Sequence, residues 1–249
     1  MIEIPLYLLI LFFVVAFIYG SVGHGGASGY IAILTLTGLF SPILVPVVLI
    51  LNILVSSVAL YNYGSHGHFE WNLFWSFAVT SIPAAFLGGY VTVEATLFFI
   101  IVGIVLLMMS AVIVIRSLRK IQIEQSKPVY IPLALIAGLI IGFISGLIGV
   151  GGGIFLTPLM LFLGWGKLKK IAAVSALFIL VNSISGIIGH AFSTTILWST
   201  ALYFVIPVIL GGFIGSRIGV KAIKPYFIQY LLAIVLCIAG VKMLVQHLF

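Results

Sequence analysis

Aspartate is missing from this sequence altogether, and glutamate occurs only four times, as Glu3, Glu70, Glu94 and Glu124. All four lie near the N-terminus or in predicted loops. Carriers of sodium ions or other cations usually need a carboxylate inside the membrane, so the absence of one here leaves an anion or a neutral solute as the expected cargo. Charge of either sign is scarce. Charged residues make up 6% of the chain, whereas a soluble domain carries roughly a quarter. Hydrophobic residues reach 63%, with a mean hydropathy of +1.41. A chain this apolar could not cover its own surface in water, so the lipid bilayer is its expected solvent.

Other absences narrow the class further. Cys237 is the only cysteine and sits in an apolar run, which excludes an intrachain disulfide and argues against a metal cluster. No P-loop is present, so this chain alone is not an ATP-driven pump. The sequence also lacks an HExxH run, a nucleophile–base pair and a carboxylate dyad, so neither an enzyme nor a cofactor is expected. The N-terminal segment has neither a basic leader nor a small-residue cleavage site, so the first helix is read as retained. The eleven Lys and Arg residues do not form a nucleic-acid face. Apart from Lys242 they are confined to short segments between apolar runs, which is the positive-inside pattern of a multi-pass membrane protein.

What is present is a series of apolar runs, at about 4–22, 27–40, 43–62, 71–91, 96–115, 130–149, 153–165, 171–192, 196–216 and 225–246. A perpendicular span needs roughly 20 residues. The runs 27–40 and 153–165 fall short of that, and each follows a glycine cluster. The two clusters match each other. Phe17-Ile18-Tyr19-Gly20-Ser21-Val22-Gly23-His24-Gly25-Gly26 lies over Phe143-Ile144-Ser145-Gly146-Leu147-Ile148-Gly149-Val150-Gly151-Gly152 at a constant offset of 126. Gly38 then falls on Gly164, Asn52 falls on Asn182, and Ile82-Pro83 before Gly88-Gly89 resembles Ile206-Pro207 before Gly211-Gly212. This ordered series predicts two repeats, 1–115 and 130–249, joined by a basic linker at 116–129.

Charge placement orients the repeats. Ten of the eleven basic residues lie in three segments: Arg116 to Lys127, Lys167 to Lys170, and Arg217 to Lys224. Placing all three in the cytoplasm puts five crossings before Arg116 and both termini outside. Five is odd, so the second repeat is inverted. The first-repeat equivalents of the two later basic loops, Phe40-Ser41-Pro42 and Val91 to Thr96, contain no Lys or Arg, as expected of loops on the opposite face. The expected fold is an all-α polytopic membrane protein. Its two inverted repeats of five membrane elements each carry a glycine-broken helical hairpin.

The candidate site follows from the breaks. Gly23, His24, Gly25, Gly26 and Ala27 form the first, and Gly149, Gly151, Gly152 and Gly153 belong to the second. Irregular backbone at membrane depth is tolerated only when buried in protein or lining a cavity. The short helix after each break points free N–H groups and the positive end of its dipole at the break. Two such ends make an anion site without a fixed charge. The competing reading, tight helix packing through small residues, explains a single GxxxG better than a duplicated GxGG before a truncated span.

His24 is the ionisable residue within a break, and it could couple transport to protons or serve as a neutral hydrogen-bonding group. Asn52 and Asn182 are polar residues at equivalent positions, fit either for interhelical bonding or for lining the cavity, with Ser56, Ser57, Ser183 and Ser185 as nearby donors. Thr157 follows only the second break. His190 reads as an interfacial residue at the outer end of its helix. His66, His68 and Glu70 lack a further ligand, so no metal is expected.

The run from Gly146 to Gly153 followed by Thr157-Pro158 resembles the hallmark of the TauE/SafE family of sulfite exporter-like transporters, and the resemblance covers the whole chain. It implies a cytoplasmic-membrane carrier for sulfite, sulfonates or related anions. In the first copy Ala27 replaces the third glycine, and no proline follows. The expected function is therefore a secondary transporter of small sulfur-containing anions, with proton coupling, direction and oligomeric state left open and a passive anion channel as the alternative. Cysteines introduced at Ser41 and Lys169 should label from opposite faces of the membrane. Labelling of both from one face would refute the inverted arrangement.

Overall fold

The computed structural model describes residues 5–119, 127–221 and 226–248. Glu3, Lys120, Glu124 and Lys224, with much of the expected linker, lie outside the described residues. Among the described residues there are ten α-helices and no strand. The first five are α1 (Tyr7–Ser21), α2 (Ala27–Leu36), α3 (Val45–Gly64), α4 (Trp71–Tyr90) and α5 (Ala95–Arg119). They are followed by α6 (Ile131–Ile148), α7 (Gly153–Leu163), α8 (Leu168–Ala191), α9 (Trp198–Lys221) and α10 (Tyr226–Leu248). Six of these, α3 to α6, α8 and α9, are long and apolar enough to cross a membrane. At ten residues α2 is about 15 Å long, half of a hydrocarbon core of about 30 Å.

The chain breaks where glycine permits it. Gly23 and Gly26 in the first break, and Gly149, Gly151 and Gly152 in the second, all have positive φ between 75° and 110°. Side-chain-bearing residues rarely adopt that region, so the helix can end and restart there only with glycine. The tips of the two hairpins then dock on the ends of other helices. A Cβ on Gly23 would lie 2.7 Å from that of Ala172 at the start of α8, and one on Gly149 would lie 2.8 Å from Val45 Cγ1 at the start of α3.

Helices cross on bare backbone elsewhere. A Cβ on Gly20 would approach the Gly212 carbonyl oxygen to 2.8 Å, joining α1 to α9. Gly88, Gly142 and Gly146 leave similarly no room between α4 and α6, nor do Gly89 and Gly189 between α4 and α8. Small residues let backbones approach where lipid offers no hydrophobic drive between helices. The packing reading of glycine thus holds for these helix-interior positions. The principal partners are α1 with α9, α4 with α6, α3 with α8, α5 with α10, and α3 with α9 as α4 with α8. Exchanging α1–α5 for α6–α10 leaves that set unchanged.

Both short helices are held at their far ends. Lys242 Nζ on α10 donates to the carbonyls of Thr35 (2.9 Å) and Leu36 (3.0 Å), which are among the last in α2. A cation there complements the negative end of the helix dipole. At the end of α7, the Lys127 N–H donates to Gly164 O at 2.8 Å.

Candidate functional site at the two glycine breaks

The breaks meet across one side chain. Asn52, on α3, is fully buried. Its Oδ1 accepts from the Ala27 N–H, the first amide of α2, at 3.3 Å. Its Nδ2 donates to Ser183 Oγ on α8 at 3.0 Å and to the Val150 carbonyl of the second break at 3.4 Å. A Cβ on Gly25 would overlap Asn52 Oδ1, and a Cβ on Gly151 would overlap Nδ2. These two glycines therefore make room for Asn52, while Gly26 and Gly152 supply the left-handed backbone. Gly153 accommodates Ile179 in the same way. The first amides of α2 and α7 lack intrahelical acceptors by the geometry of any helix start, and both starts border this point.

Asn182 does not mirror Asn52. It is equally buried, but its Nδ2 donates to Phe178 O at 2.8 Å and to Ser81 Oγ on α4 at 3.2 Å. The Phe178 carbonyl can only accept, which fixes the amide orientation. Asn182 Oδ1 is then a buried acceptor with no partner. Ser183, one residue further on, is the α8 side chain that reaches the breaks.

Two further residues, not among those expected at the site, border the breaks. Tyr30 is fully buried, and a Cβ on Gly26 would lie 2.9 Å from its hydroxyl. Ser145 Cβ lies 3.5 Å from a Cβ built on Gly152. Neither hydroxyl has a partner. With Asn182 Oδ1, these are the buried side-chain polar atoms left unpaired among the described residues. Such groups are rare in folded proteins and each needs an explanation. A signal was present: Tyr30 stands one turn after Gly26 and Ser145 one turn before Gly149.

The other predicted residues take local roles. His24 is buried, and its Nδ1 donates to the Val22 carbonyl at 3.0 Å, folding the ring back over its own turn. Thr157 Oγ1 and Ser175 Oγ bond at 2.8 Å and tie α7 to α8. His190 lies in the last turn of α8, at the helix end where it was expected. It is buried, and its Nε2 donates to Gly146 O at 2.9 Å, since the glycines of α4 and α8 let it approach α6. In the 65–70 turn, His66 Nδ1 donates to Asn62 O, and Glu70 pairs with Lys170 at 2.9 Å. Partial burial, Lys169 and His66 all hold His68 below its ordinary titration range.

A small apolar cavity lies between α1, the far end of α2, and the starts of α3 and α9, with Leu8, Phe12, Leu34, Val48, Thr200 and Phe204 on its wall. Phe12 stacks on Phe204 (4.1 Å between centroids) and on Tyr30 (4.6 Å). In the other half the positions equivalent to Leu39 and Val48, both on the cavity wall, are Trp165 and Phe178. Phe77 packs against both of these rings, with centroids 5.9 Å from Trp165 and 6.5 Å from Phe178.

The geometry ranks the two asparagines. Asn52→Ala strands the Ala27 amide and the Val150 carbonyl, and each stranded buried group costs about 1–3 kcal/mol. Asn182→Ala removes an amide whose oxygen is already unpaired. Thermal unfolding in detergent should show a clearly larger loss for Asn52→Ala, and equal losses would contradict the bridging role.

A model of the sulfite exporter TauE/SafE family matches residues 8–243. A probable membrane transporter protein of Sinorhizobium fredii is 37% identical over 240 residues, covering 95% of this chain and 97% of its own. One of Methanocaldococcus jannaschii is 25% identical over 261 residues, covering 96% of each chain. One of Bacillus subtilis is 25% identical across 70% of each. No solved structure matches. With the family model covering nearly the whole described fold, this chain belongs to the TauE/SafE family of membrane transporters.

Proposed function

We propose that this protein is a secondary carrier moving small sulfur-containing anions, such as sulfite or a sulfonate, across the cytoplasmic membrane, with the anion held where the two glycine breaks meet. The observation that carries this reading is Asn52 Oδ1 against the first amide of α2. A carbonyl oxygen with partial negative charge occupies the position that an oxyanion would take at a helix N-terminus. The start of α7 approaches the same side chain from the second break. An anion stripped of water needs several donors at once, and two half-helix ends provide them without a buried Lys or Arg, whose own charge would be costly in the empty site. The sequence provides no carboxylate inside the helices to repel it.

The inverted arrangement of 1–115 and 130–249 supports a carrier. The set of helix partners survives exchange of the halves, and the basic loops of one half have counterparts without Lys or Arg in the other. Inverted repeats place equivalent spaces on opposite faces of a central site, and transport proceeds by opening each in turn. Here one such space is the apolar cavity, and at its counterpart Trp165 and Phe178 replace Leu39 and Val48, with Phe77 packed against both. A site closed on one side by packed rings favours a carrier over a passive channel.

The test is flux in proteoliposomes. Sulfite should accumulate against its gradient when a proton gradient is imposed. Downhill flux alone would favour the channel, and movement of other anions but not sulfite would overturn the substrate assignment. In the coupled system His24→Asn should flatten the pH dependence between about pH 5 and 8. An unchanged profile would move the coupled proton onto the substrate or onto another group.

A further inference from the structure

We infer that Tyr30 is a substrate-contacting residue, its phenol O–H donating to one oxygen of the bound anion while the α2 amides hold another; this assignment rests on the anion-site reading above. Tyr30 sits in the first turn of α2, and its own N–H donates to Gly26 O at 3.0 Å. Its ring is fixed in an aromatic stack, 15° from the plane of Phe12, which in turn lies 18° from Phe204. The stack ends at the apolar cavity, and the hydroxyl end points the other way, to Gly26 at the break.

Phenylalanine would satisfy every packing contact of that ring, so the hydroxyl is surplus to the stack. It is fully buried and has no partner, a condition that costs on the order of 1–3 kcal/mol. The neighbouring Tyr19 shows the contrast. Its hydroxyl lies 2.6 Å from Ser28 Oγ and is satisfied within the protein. Two tyrosines of one hairpin therefore differ in that only the one at the break keeps an unused donor. That donor lies beside the N-cap of a ten-residue helix, where the orphan amides already favour an anion.

The chemistry selects among anions. Amides and phenol converge from different directions, so the arrangement suits an anion presenting at least two acceptor oxygens, as sulfite and sulfonates do, better than a single-centre halide. The position equivalent to Tyr30 in the second half is Leu156, so the phenol acts from the first break only.

Tyr30→Phe tests this, with Tyr19→Phe as control, in purified full-length protein with sulfite, methanesulfonate and chloride as probes. Without anion, Tyr30→Phe should be at least as stable as the wild type, because it removes an unpaired hydroxyl. Its affinity for sulfite and methanesulfonate should fall roughly tenfold or more, the usual worth of a hydrogen bond to a charged group, with a smaller change for chloride. Tyr19→Phe should do the reverse, lowering stability and sparing affinity. A markedly destabilised anion-free Tyr30→Phe would show that the hydroxyl has a structural partner and overturn the assignment. Unchanged sulfite affinity in that variant would overturn it too, while leaving the carrier reading standing. A wild type that binds neither sulfite nor methanesulfonate would instead remove the anion site, and Tyr30's role with it.

Discussion

Backbone that leaves the helix inside a bilayer has to find partners within the protein, because lipid supplies none. This chain leaves the helix twice, and the interruptions are brought together so that one amide side chain serves both. Asn52 accepts from the first and donates to the second. Much of the surrounding architecture can be understood as what brings that side chain between the breaks. Gly25 and Gly151 make space for it, α3 and α8 cross beside it, and Ser183 completes its bonding. Polar contacts between membrane helices are individually modest. The importance of Asn52 lies in the number of otherwise stranded groups it serves.

The far ends of the short helices show the same economy. Lys242 closes the end of α2 and the Lys127 amide meets the end of α7. Held there, α2 and α7 present their starts to the centre without depending on length for their position. The glycine-lined crossings of α1 with α9 and α4 with α6 then support each hairpin from outside. Both halves use this scheme, but they differ in content. One has Tyr30 and an apolar cavity, and the other has Leu156 and three packed aromatic rings.

Much of the fold could be read from residue patterns, because in a membrane protein the length of an apolar run and the place of glycine are direct physical constraints. The runs 27–40 and 153–165 correspond to α2 and α7, and the breaks fall on the glycines that take positive φ. Equivalence in sequence was less informative about side-chain partners. Asn182 occupies the position of Asn52 yet bonds Ser81, because the partner it meets belongs to α4. His190 sits at the expected helix end, but its burial and its bond to Gly146 depend on the small residues that bring α4, α6 and α8 together. Tyr30 resembled any aromatic core residue. That its hydroxyl stays unpaired is a property of the packed structure, which no local pattern encodes.

The central claim is that the anion binds between the breaks, beside Asn52. The most direct measurement is a structure determined with selenite, the heavier analogue of sulfite, located by its anomalous scattering. The account predicts a peak within hydrogen-bonding distance of the Ala27 amide and the Tyr30 hydroxyl, with Asn52 turned aside or sharing the site. A peak at the basic loops near Lys167 to Lys170, with Asn52 still bridging both breaks, would contradict it.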